Sequence, residues 1–380
     1  MVKIQEALTF EAKPLFKLMK SIKLLLFCST LFWGCEDDLS KFDFSFEVGE
    51  INFIDSVKIE EMGYSFNFLF NEKIYQDSLL VFGDGSFSSI HLFNTKTGKR
   101  MGLFNSESIE EYPIPERSYT NAYINGDSIF LLNHFLNRIY VFNIYGKFIL
   151  EEQLKFSKPN YVLDYETFFD RIGDKLFIST RFDGPISQAF NESTVLSMFS
   201  YEDGVFLKSF GNFPSTYSKG ALALSQSENV VFKNGFIYVL NVAGVPILKK
   251  YNVEGELVEF VELKSKTHEP AMSYFNDDPS ESQLMDQFLS LATDKNKDDG
   301  IFYAAYTHYE DRNKMSGGNT FSYRLMKIDL AKETIKEGKL LGPWYYYELR
   351  NLLREVKGDT LTLMVRGFDE NLYLKRFLFD

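Results

Sequence analysis

A short strand-start pattern recurs six times along this chain of 380 residues, and it restricts the possible folds more than any other feature. In each copy an Asp or Gly is followed, after at most one further residue, by an apolar run of strand length. Successive copies are 50, 47, 61, 65 and 59 residues apart, within or slightly above the repeat length of propeller blades. The copies begin at Asp77, Asp127, Asp174, Gly235, Gly300 and Asp359.

Polar turns divide each repeat further. Strand-like runs end in turns that contain Gly98, Gly146 and Gly255, and another strand-like run begins directly after each turn. Glycine readily adopts the positive φ that a tight hairpin requires. Each repeat is therefore predicted to be a meander of about four antiparallel strands.

The two ends of the chain together have the length of one blade. The last strand start leaves 22 residues, whereas 42 residues run from Cys35 to Gln76, with strand-like runs at Phe53–Lys58 and Ser65–Phe70. The sequence therefore predicts an all-β, six-bladed β-propeller over residues 51–380, whose last blade is closed by amino-terminal strands that protect its edge. The alternative is a β-sandwich with a second domain, although no Pro-, Gly- or Ser-rich linker marks a boundary.

Composition and charge exclude several classes of protein. A chain with 45% hydrophobic and 17% aromatic residues is too apolar to stay disordered. The net charge of −12 argues against nucleic-acid binding, which needs clustered Lys and Arg. The one uninterrupted apolar run, near residues 24–33, is far shorter than the roughly 20 residues of a membrane-spanning helix, so no such helix is predicted.

Residues 1–34 are predicted to be a signal peptide. Two lysines after Met19 supply a positive n-region, residues 24–33 supply an apolar h-region, and the small Gly34 fits a cleavage site. Residues 1–18 contain two glutamates and a proline that fit no n-region, so Met19 is the predicted true start. The alternatives are an uncleaved amphipathic anchor and a buried helix that begins at the first residue.

The residues around the predicted cleavage site resemble a bacterial lipoprotein signal. In that family a small residue precedes a cysteine that is lipidated on its sulfur and becomes the first mature residue; Phe32 departs from the family's preferred Leu. The resemblance implies lipidation of Cys35, attachment to the outer membrane through that lipid, and an acidic tether over residues 35–50. The acidic residues 36–38 resemble the surface-export signal of Bacteroidota lipoproteins, and a solvated tether in the periplasm is the alternative.

The mature domain lacks the residues that mark several common catalytic sites. Cleavage before Cys35 would leave 36 basic and 51 acidic side chains, a net charge of −15. Cys28 leaves with the signal and Cys35 carries lipid, so no thiol remains for a disulfide, a metal site or a nucleophile. The sequence also contains no Gly-x-Ser-x-Gly elbow and no glycine-rich phosphate loop.

The connectors between repeats carry a second resemblance. Together with the lipoprotein signal and the six strand starts, segments such as Phe210–Pro214 and Leu341–Trp344 resemble a family of uncharacterised Bacteroidota lipoproteins with TolB-like six-bladed propellers. This resemblance covers nearly the whole mature chain. It implies the fold and a location in the cell envelope, and because the family has no assigned activity it transfers no catalytic residue.

One acidic run has the oxygen ligands of a calcium loop but not their spacing. It consists of Asp294, Asn296, Asp298, Asp299 and Gly300. An EF-hand requires Gly at its sixth position and Glu at its twelfth, where this run has Asp and Ala, so a solvated turn is predicted instead. Because the four histidines also lack the helical spacing of zinc ligands, no metal and no cofactor is predicted. These histidines are His91, His134, His268 and His308.

Three further segments are candidates for contacts with a ligand or partner. The aromatic run Trp344–Tyr347 fits either a stacking platform for a sugar or peptide, or packing between blades. Apolar residues at helical spacing predict a short helix over Asp278–Thr293, which crosses a connector or binds a partner. The polar segment His308–Asn319 is predicted to be a loop, either functional or merely long.

These features together favour binding over catalysis. The sequence predicts a lipid-anchored extracytoplasmic propeller that acts as a binding or scaffold module, with an envelope protein or a glycan as possible partner. The alternative is a metal-dependent hydrolase or lactonase-like propeller with a metal on its axis. Binding is expected on the face that bears the connectors, which contain Pro113, Pro159, Pro214, Pro270 and Pro343.

Overall fold

The computed structural model describes most of the chain from Phe42 to the carboxyl terminus. No helix occurs in the described ranges, and so none there is long and apolar enough to cross a membrane. The described residues are 42–60, 69–76, 78–84, 89–104, 121–156, 161–163, 168–184, 194–213, 228–242, 246–268, 286–309, 321–340, 353–367 and 369–380.

The regular structure of these ranges consists of 27 β-strands. In chain order the strands are β1 (Ser45–Val48), β2 (Ile51–Lys58), β3 (Leu69–Tyr75), β4 (Leu79–Asp84), β5 (Ser89–Asn94), β6 (Arg100–Phe104), β7 (Asn121–Asn125), β8 (Ser128–Asn133), β9 (Arg138–Asn143), β10 (Phe148–Gln153), β11 (Tyr161–Leu163), β12 (Phe169–Ile172), β13 (Lys175–Ile178), β14 (Thr180–Phe182), β15 (Leu196–Ser200), β16 (Phe206–Phe210), β17 (Glu228–Lys233), β18 (Phe236–Asn241), β19 (Ile247–Asn252), β20 (Leu257–Glu262), β21 (Gln287–Ala292), β22 (Ile301–Tyr309), β23 (Phe321–Asp329), β24 (Thr334–Lys339), β25 (Leu353–Lys357), β26 (Thr360–Arg366) and β27 (Leu372–Phe379).

Six sheets follow one another along the chain, and each forms one blade of a six-bladed β-propeller. Blades 1 to 4 consist of β3 to β6, β7 to β10, β12–β13–β15–β16 and β17 to β20. Blade 5 consists of β21 to β24 with β1 added, and blade 6 of β25 to β27 with β2 added. The short sheet of β11 and β14 prolongs the first hairpin of blade 3. The predicted all-β propeller is thereby confirmed.

The first strands of the blades form the inner ring of the propeller. β3 contacts both β7 and β25, β21 contacts both β17 and β25, and β7 contacts β12. Apolar side chains fill the wedges between neighbouring blades, and many of them are aromatic. Between blades 3 and 4, for example, the rings of Phe177 and Phe232 pack edge to face with centroids 5.3 Å apart. The high aromatic content of the sequence is therefore largely structural.

The predicted strand starts are confirmed: the five that lie among the described residues each come directly before the second strand of a blade, and the apolar run after Asp77 forms β4 of blade 1. These strands pack against neighbouring blades on both faces, which gives them continuous apolar runs. In β8, for instance, every residue after Ser128 is buried. The turns before β8 and β18 place Gly126 and Gly235 at φ values of +58° and +76°, where a side chain would be strained.

The predicted hairpins with polar turns are also confirmed, and an asparagine stabilises each of them. Asn94, Asn143 and Asn252 end the third strands of blades 1, 2 and 4. The Oδ1 atom of each accepts a hydrogen bond of 2.9 to 3.0 Å from the backbone N–H two residues later. Such side-chain bonds fix the tight turn before the outer strand begins.

An amino-terminal strand closes the ring, as predicted, and within the described ranges β2 alone does so. β2 pairs antiparallel with β27 and becomes the outer strand of blade 6, where Arg376 contacts Asp55. The second predicted closing run, Ser65–Phe70, is wrong in its described part, because Leu69 begins β3 of blade 1. Since β25 to β27 already supply three strands, blade 6 accepts one more strand and the next run starts a new blade.

Residues assigned to the predicted tether take part in the fold. β1 pairs in parallel with β24, the outer strand of blade 5. Phe44, just before β1, is buried and packs in the core between blades 4 and 5. The ordered propeller therefore begins before residue 51.

The helix predicted over Asp278–Thr293 is wrong for residues 287–292, which form β21. Residues 278–285 lie outside the described part of the chain. Phe288 and Leu291 are both buried, although a strand of strict alternation would place them on opposite faces. Inner strands have blades on both sides, and a bulge follows Phe288, so the apolar spacing imitates a helical period.

Candidate functional site

Several predicted contact sites lie outside the described residues. They are Cys35, the aromatic run Trp344–Tyr347, residues 310–319 of the polar loop, and the five connector prolines. His308 and Tyr309, at the beginning of the predicted loop, instead end β22. The roles predicted for the undescribed segments stay predictions.

The acidic run at residues 294–300 forms the turn between β21 and β22, and it joins neighbouring blades. Asp294 is buried, and its Oδ2 accepts a hydrogen bond of 2.8 Å from the backbone N–H of Gly358 in blade 6. Asp299 accepts a hydrogen bond of 2.8 Å from Lys233 of blade 4. Burial acts to raise the pKa of Asp299, but its hydrogen bonds outweigh that effect and lower it. The predicted solvated turn is confirmed for residues 295–298, which are exposed, whereas Asp294 and Asp299 on either side of them bind protein donors.

His91 is a neutral residue of the core. Its Nε2 lies 2.7 Å from the Ser89 hydroxyl, and its ring stacks on Phe82 and near Phe93. Burial, strengthened by the charge of Arg100, lowers the pKa of His91 from 6.5 to about 3. The imidazole therefore stays uncharged at physiological pH and serves packing.

The other three histidines each have different neighbours. His134 lies in the turn after β8, and His268 stacks on Phe288 with ring centroids 4.8 Å apart. His308 contacts Asp286. Among the described residues, no three His, Cys, Asp or Glu side chains are close enough to share a metal ion.

The side chain of Lys73 extends across the inner ring from blade 1 to blade 3. It lies on β3 of blade 1, yet its Nζ donates a hydrogen bond of 2.5 Å to the carbonyl oxygen of Phe169 on β12 of blade 3. The same Nζ lies 5.3 Å from the centroid of the Phe168 ring. Because blade 2 stands between blades 1 and 3, the side chain reaches blade 3 past the inner strand of blade 2.

Tyr123 and Asp170 occupy the position of Lys73 in blades 2 and 3. Each of the three residues pairs with the third residue of the second strand of its blade. They therefore lie at one level of the inner ring. Tyr75 joins them, since its hydroxyl donates a hydrogen bond of 3.1 Å to the carbonyl of Ala122 and its ring centroid lies 6.4 Å from that of Tyr123. We call Lys73, Tyr75, Tyr123 and Asp170 the channel cluster.

The ring is not symmetric at this level. Blades 4 and 5 place Val231 and Ala292 at the equivalent positions, and blade 6 places Glu355 there. Polar side chains thus occupy this level in blades 6, 1, 2 and 3, whereas blades 4 and 5 have apolar residues there. An asymmetric lining of this kind fits a ligand that binds against one wall.

Burial controls the charges of the channel cluster. It lowers the pKa of Lys73 from 10.5 to about 8, an effect that Asp170 opposes and Lys295 strengthens. It also raises the pKa of Asp170, which Lys73 and Lys295 partly offset. The surface of Lys73 as a whole is only partly covered, but protein atoms surround its ammonium, so lost hydration determines its charge.

The two tyrosines stay protonated and can donate hydrogen bonds. Burial raises the pKa of Tyr75 well above 10.0 and raises that of Tyr123 as well, and the charge of Asp170 adds to both shifts. Nearby, the guanidinium carbon of Arg171 lies 3.4 Å from the ring centroid of Tyr201. The cluster thus combines an ammonium of reduced pKa with neutral hydroxyl donors, the combination expected at a functional site.

Sequence reasoning missed this cluster, although a signal for it existed. Lys73, Tyr123 and Asp170 each precede a predicted strand start by four residues. Equivalent positions of successive blades meet around the inner ring of a propeller. A comparison of the repeats at that position would have placed the three side chains together.

The fold is similar to that of two solved structures from Bacteroides. A member of the DUF4221 family from Bacteroides vulgatus ATCC 8482 superposes with a TM-score of 0.61 at 12% identity, covering 88% of this chain and 98% of that chain. A protein of Bacteroides fragilis NCTC 9343, whose name marks it as a candidate exported protein, superposes with a TM-score of 0.55 at 11% identity and the same coverage. Neither a protein-family model nor a curated protein matches the sequence.

At such low identity, what is shared is the fold. The resemblance to uncharacterised Bacteroidota proteins with a propeller is confirmed at that level. No residue role is transferred from either structure to the channel cluster.

Proposed function

We propose that this protein is a lipid-anchored, extracytoplasmic β-propeller that binds a small organic anion at the channel cluster. The signal-like amino terminus with Cys35 supports the anchor. The name of the Bacteroides fragilis structure, which refers to export, agrees with a location outside the cytoplasm. The anion is recognised by a carboxylate or phosphate group.

One observation carries the choice of ligand, namely the position and reduced pKa of Lys73. Two lysines, Lys73 and Lys295, act on the single carboxyl group of Asp170. The local excess of positive charge contrasts with the net charge of −15 of the mature chain. An anion next to Lys73 stabilises its charged form, and the hydroxyls of Tyr75 and Tyr123 are available as donors.

The test is thermal unfolding of the domain in citrate and in inorganic phosphate. A ligand at about 100 times its Kd stabilises the folded state by about 2.7 kcal/mol, which raises Tm by several degrees. Lys73→Met removes the ammonium and should abolish the shift. Lys208→Met makes the same charge change on the exposed face of β16 and should retain it. If the ligand raised Tm equally in Lys73→Met and Lys208→Met, the result would count against binding at the channel cluster.

The pH dependence of binding gives a second measurement. Because only the charged ammonium attracts an anion, the affinity should fall roughly tenfold per pH unit above about 8. The two tyrosines do not reproduce this, since burial raises the pKa of both above 10.0. Calorimetric titration with citrate below and above pH 8 measures this change in affinity. An affinity for citrate that did not change with pH would contradict a role for Lys73.

The scaffold part of the proposal requires a partner in the envelope. Affinity capture of the lipidated protein from its native envelope, followed by mass spectrometry, tests for an envelope protein or a glycan. Charge reversals on the connector face should weaken that capture without lowering Tm. Unchanged capture by such variants would restrict the protein to small-ligand binding.

A further inference from the structure

A second group of reactive side chains lies at one end of blade 5, outside the channel cluster. Gln287 pairs with Thr307 at the edge of β21 and β22, so Asp286 is next in line with His308. His308 in turn pairs with Ser322 of β23. Residues directly opposite one another on neighbouring strands project from the same face of a sheet. Asp286, His308 and Ser322 therefore form a row across three strands.

Asp286 holds the imidazole of His308 in a defined orientation. The side chain of Asp286 is 0% exposed, and its Oδ2 lies 3.0 Å from Nδ1 of His308. Its Oδ1 accepts a second hydrogen bond of 3.0 Å from the backbone N–H of Tyr309. Because a carboxylate only accepts hydrogen bonds, Nδ1 carries a proton and Nε2 is left as a base. The side chain of His308 is 16% exposed, which leaves it within reach of a substrate.

Two buried polar atoms on β23 complete the group. The Oγ of Ser322 and the Nε of Arg324 make no hydrogen bond within the described part of the chain. Arg324 pairs with Tyr306 and projects from the same face as Ser322, two residues away. An unpaired buried polar group destabilises the folded state, and two side by side call for a functional explanation.

We propose that Asp286, His308, Ser322 and Arg324 form a hydrolytic centre for carboxylic esters. The Oγ of Ser322 forms a bond to the ester carbonyl carbon while its proton passes to Nε2 of His308. The guanidinium of Arg324 stabilises the oxyanion of the tetrahedral adduct. The adduct then breaks its bond to the leaving alcohol, which takes the proton from His308, and water hydrolyses the acyl-serine by the same route.

One contact of this centre forms only with substrate. Ser322 makes no hydrogen bond to His308 in the structure, so the proposal requires Oγ to turn toward Nε2 about the χ1 angle when substrate binds. Nucleophile and base commonly stand further apart without substrate than in the reacting complex. The proposed hydrolytic centre contains no residue of the channel cluster and requires no metal ion. Its test is therefore independent of the anion-binding proposal.

The chain supplies a matched control for the experiment. Ser89 lies 2.7 Å from Nε2 of His91, so it already has the serine–histidine contact. Burial keeps the pKa of His91 at about 3, which makes it a poor base, whereas the side chain of His308 is 16% exposed. A reagent for activated serines should therefore ignore Ser89.

The experiment is covalent labelling with a fluorophosphonate probe, read by peptide mass spectrometry, together with hydrolysis of p-nitrophenyl acetate. We expect the label on Ser322. Ser322→Ala and His308→Gln should each lower labelling and hydrolysis at least about 100-fold, whereas Ser89→Ala should leave both unchanged. Since Ser322→Ala removes an unpaired hydroxyl, it should not lower Tm.

Three outcomes would overturn the proposal. They are a label on a residue other than Ser322, hydrolysis that persists in Ser322→Ala, and wild-type protein that neither takes the label nor cleaves the ester. If His308→Gln fails to fold, Asp286→Asn replaces it, since the amide keeps the size of the side chain and disturbs the tautomer of His308. Hydrolysis that survives this replacement would equally contradict the assignment.

Discussion

At the scale of single residues, burial lowers the pKa of both Lys73 and His91, but it leaves Lys73 charged and His91 neutral at physiological pH. Both side chains lose hydration, and the pKa of each falls, to about 8 for Lys73 and about 3 for His91. Lys73 remains charged below pH 8 and keeps a strong donor in the inner ring. His91 is neutral across the physiological range, so its ring packs like the phenylalanines beside it.

His91 should make the domain sensitive to acid. Its folded-state pKa lies below the unfolded value of 6.5, so between those values the unfolded chain binds more protons. Its contribution to stability is therefore present above pH 6.5 and is lost as the pH falls toward 3, at about 1.4 kcal/mol per pH unit. His91→Gln, which can keep the bond to Ser89, should remove this part of the pH dependence of urea unfolding.

The control for this measurement is His134→Gln, which removes a histidine from the turn after β8. It should retain the acid sensitivity of the wild type. An identical pH profile for the wild type and His91→Gln would show that His91 is protonated without cost, contrary to its burial.

At the scale of elements, the position of a strand within its blade determines whether the strand can be predicted from the sequence. Second strands such as β8 and β18 are buried on both faces and begin at a Gly or Asp turn, so their starts were predicted correctly. The first strand β21 is equally apolar, but a bulge disturbs its spacing and a helix was predicted instead. β1 is short and largely exposed, so it carries almost no apolar signal.

The candidate sites were harder to predict than the fold for a related reason. The channel cluster joins residues almost 100 positions apart, and only the register of three blades brings Lys73 to Asp170. The row of Asp286, His308 and Ser322 likewise depends on strand pairing within blade 5. The sequence contains every one of these side chains, but it contains no local motif that groups them.

The two amino-terminal strands should contribute unequally to folding. Compared with a chain that begins at Phe42, one that begins at Ile51 loses β1 and the buried Phe44, and should fold with a stability lower by about 3 kcal/mol. A chain that begins at Ile59 also loses β2, which leaves β27 as an unpaired edge and the ring open. It should not unfold cooperatively.

Thermal unfolding followed by circular dichroism distinguishes these chains. Asp55→Ala serves as the control, because it removes only the exposed ion pair with Arg376 and should cost less than about 1 kcal/mol. If the chain that begins at Ile59 melted at the same temperature as the one that begins at Ile51, β2 would not be needed for closure.

At the scale of the whole molecule, the position of the ordered domain in the chain bears on its proposed attachment. Six residues, 36–41, separate Cys35 from the first described residue, Phe42. Even in a fully extended chain, Cys35 and Phe42 are at most about 25 Å apart. Lipidation at Cys35 would therefore keep Phe42, three residues before β1, within that distance of the membrane surface. Cleavage before Cys35 would leave a net charge of −15, so anionic lipids would not attract the domain, and under the proposed function the lipid alone would retain it.

Replacement of Cys35 should consequently release the protein from the membrane. Cys35→Ala removes the sulfur that would carry the lipid, whereas Cys28→Ala changes a cysteine inside the apolar run of the proposed signal and leaves the attachment site intact. In Triton X-114 phase separation of the cell envelope, the wild type and Cys28→Ala should enter the detergent phase, and Cys35→Ala the aqueous phase. Retention of Cys35→Ala in the detergent phase would mean that something other than a lipid on this residue holds the propeller at the membrane.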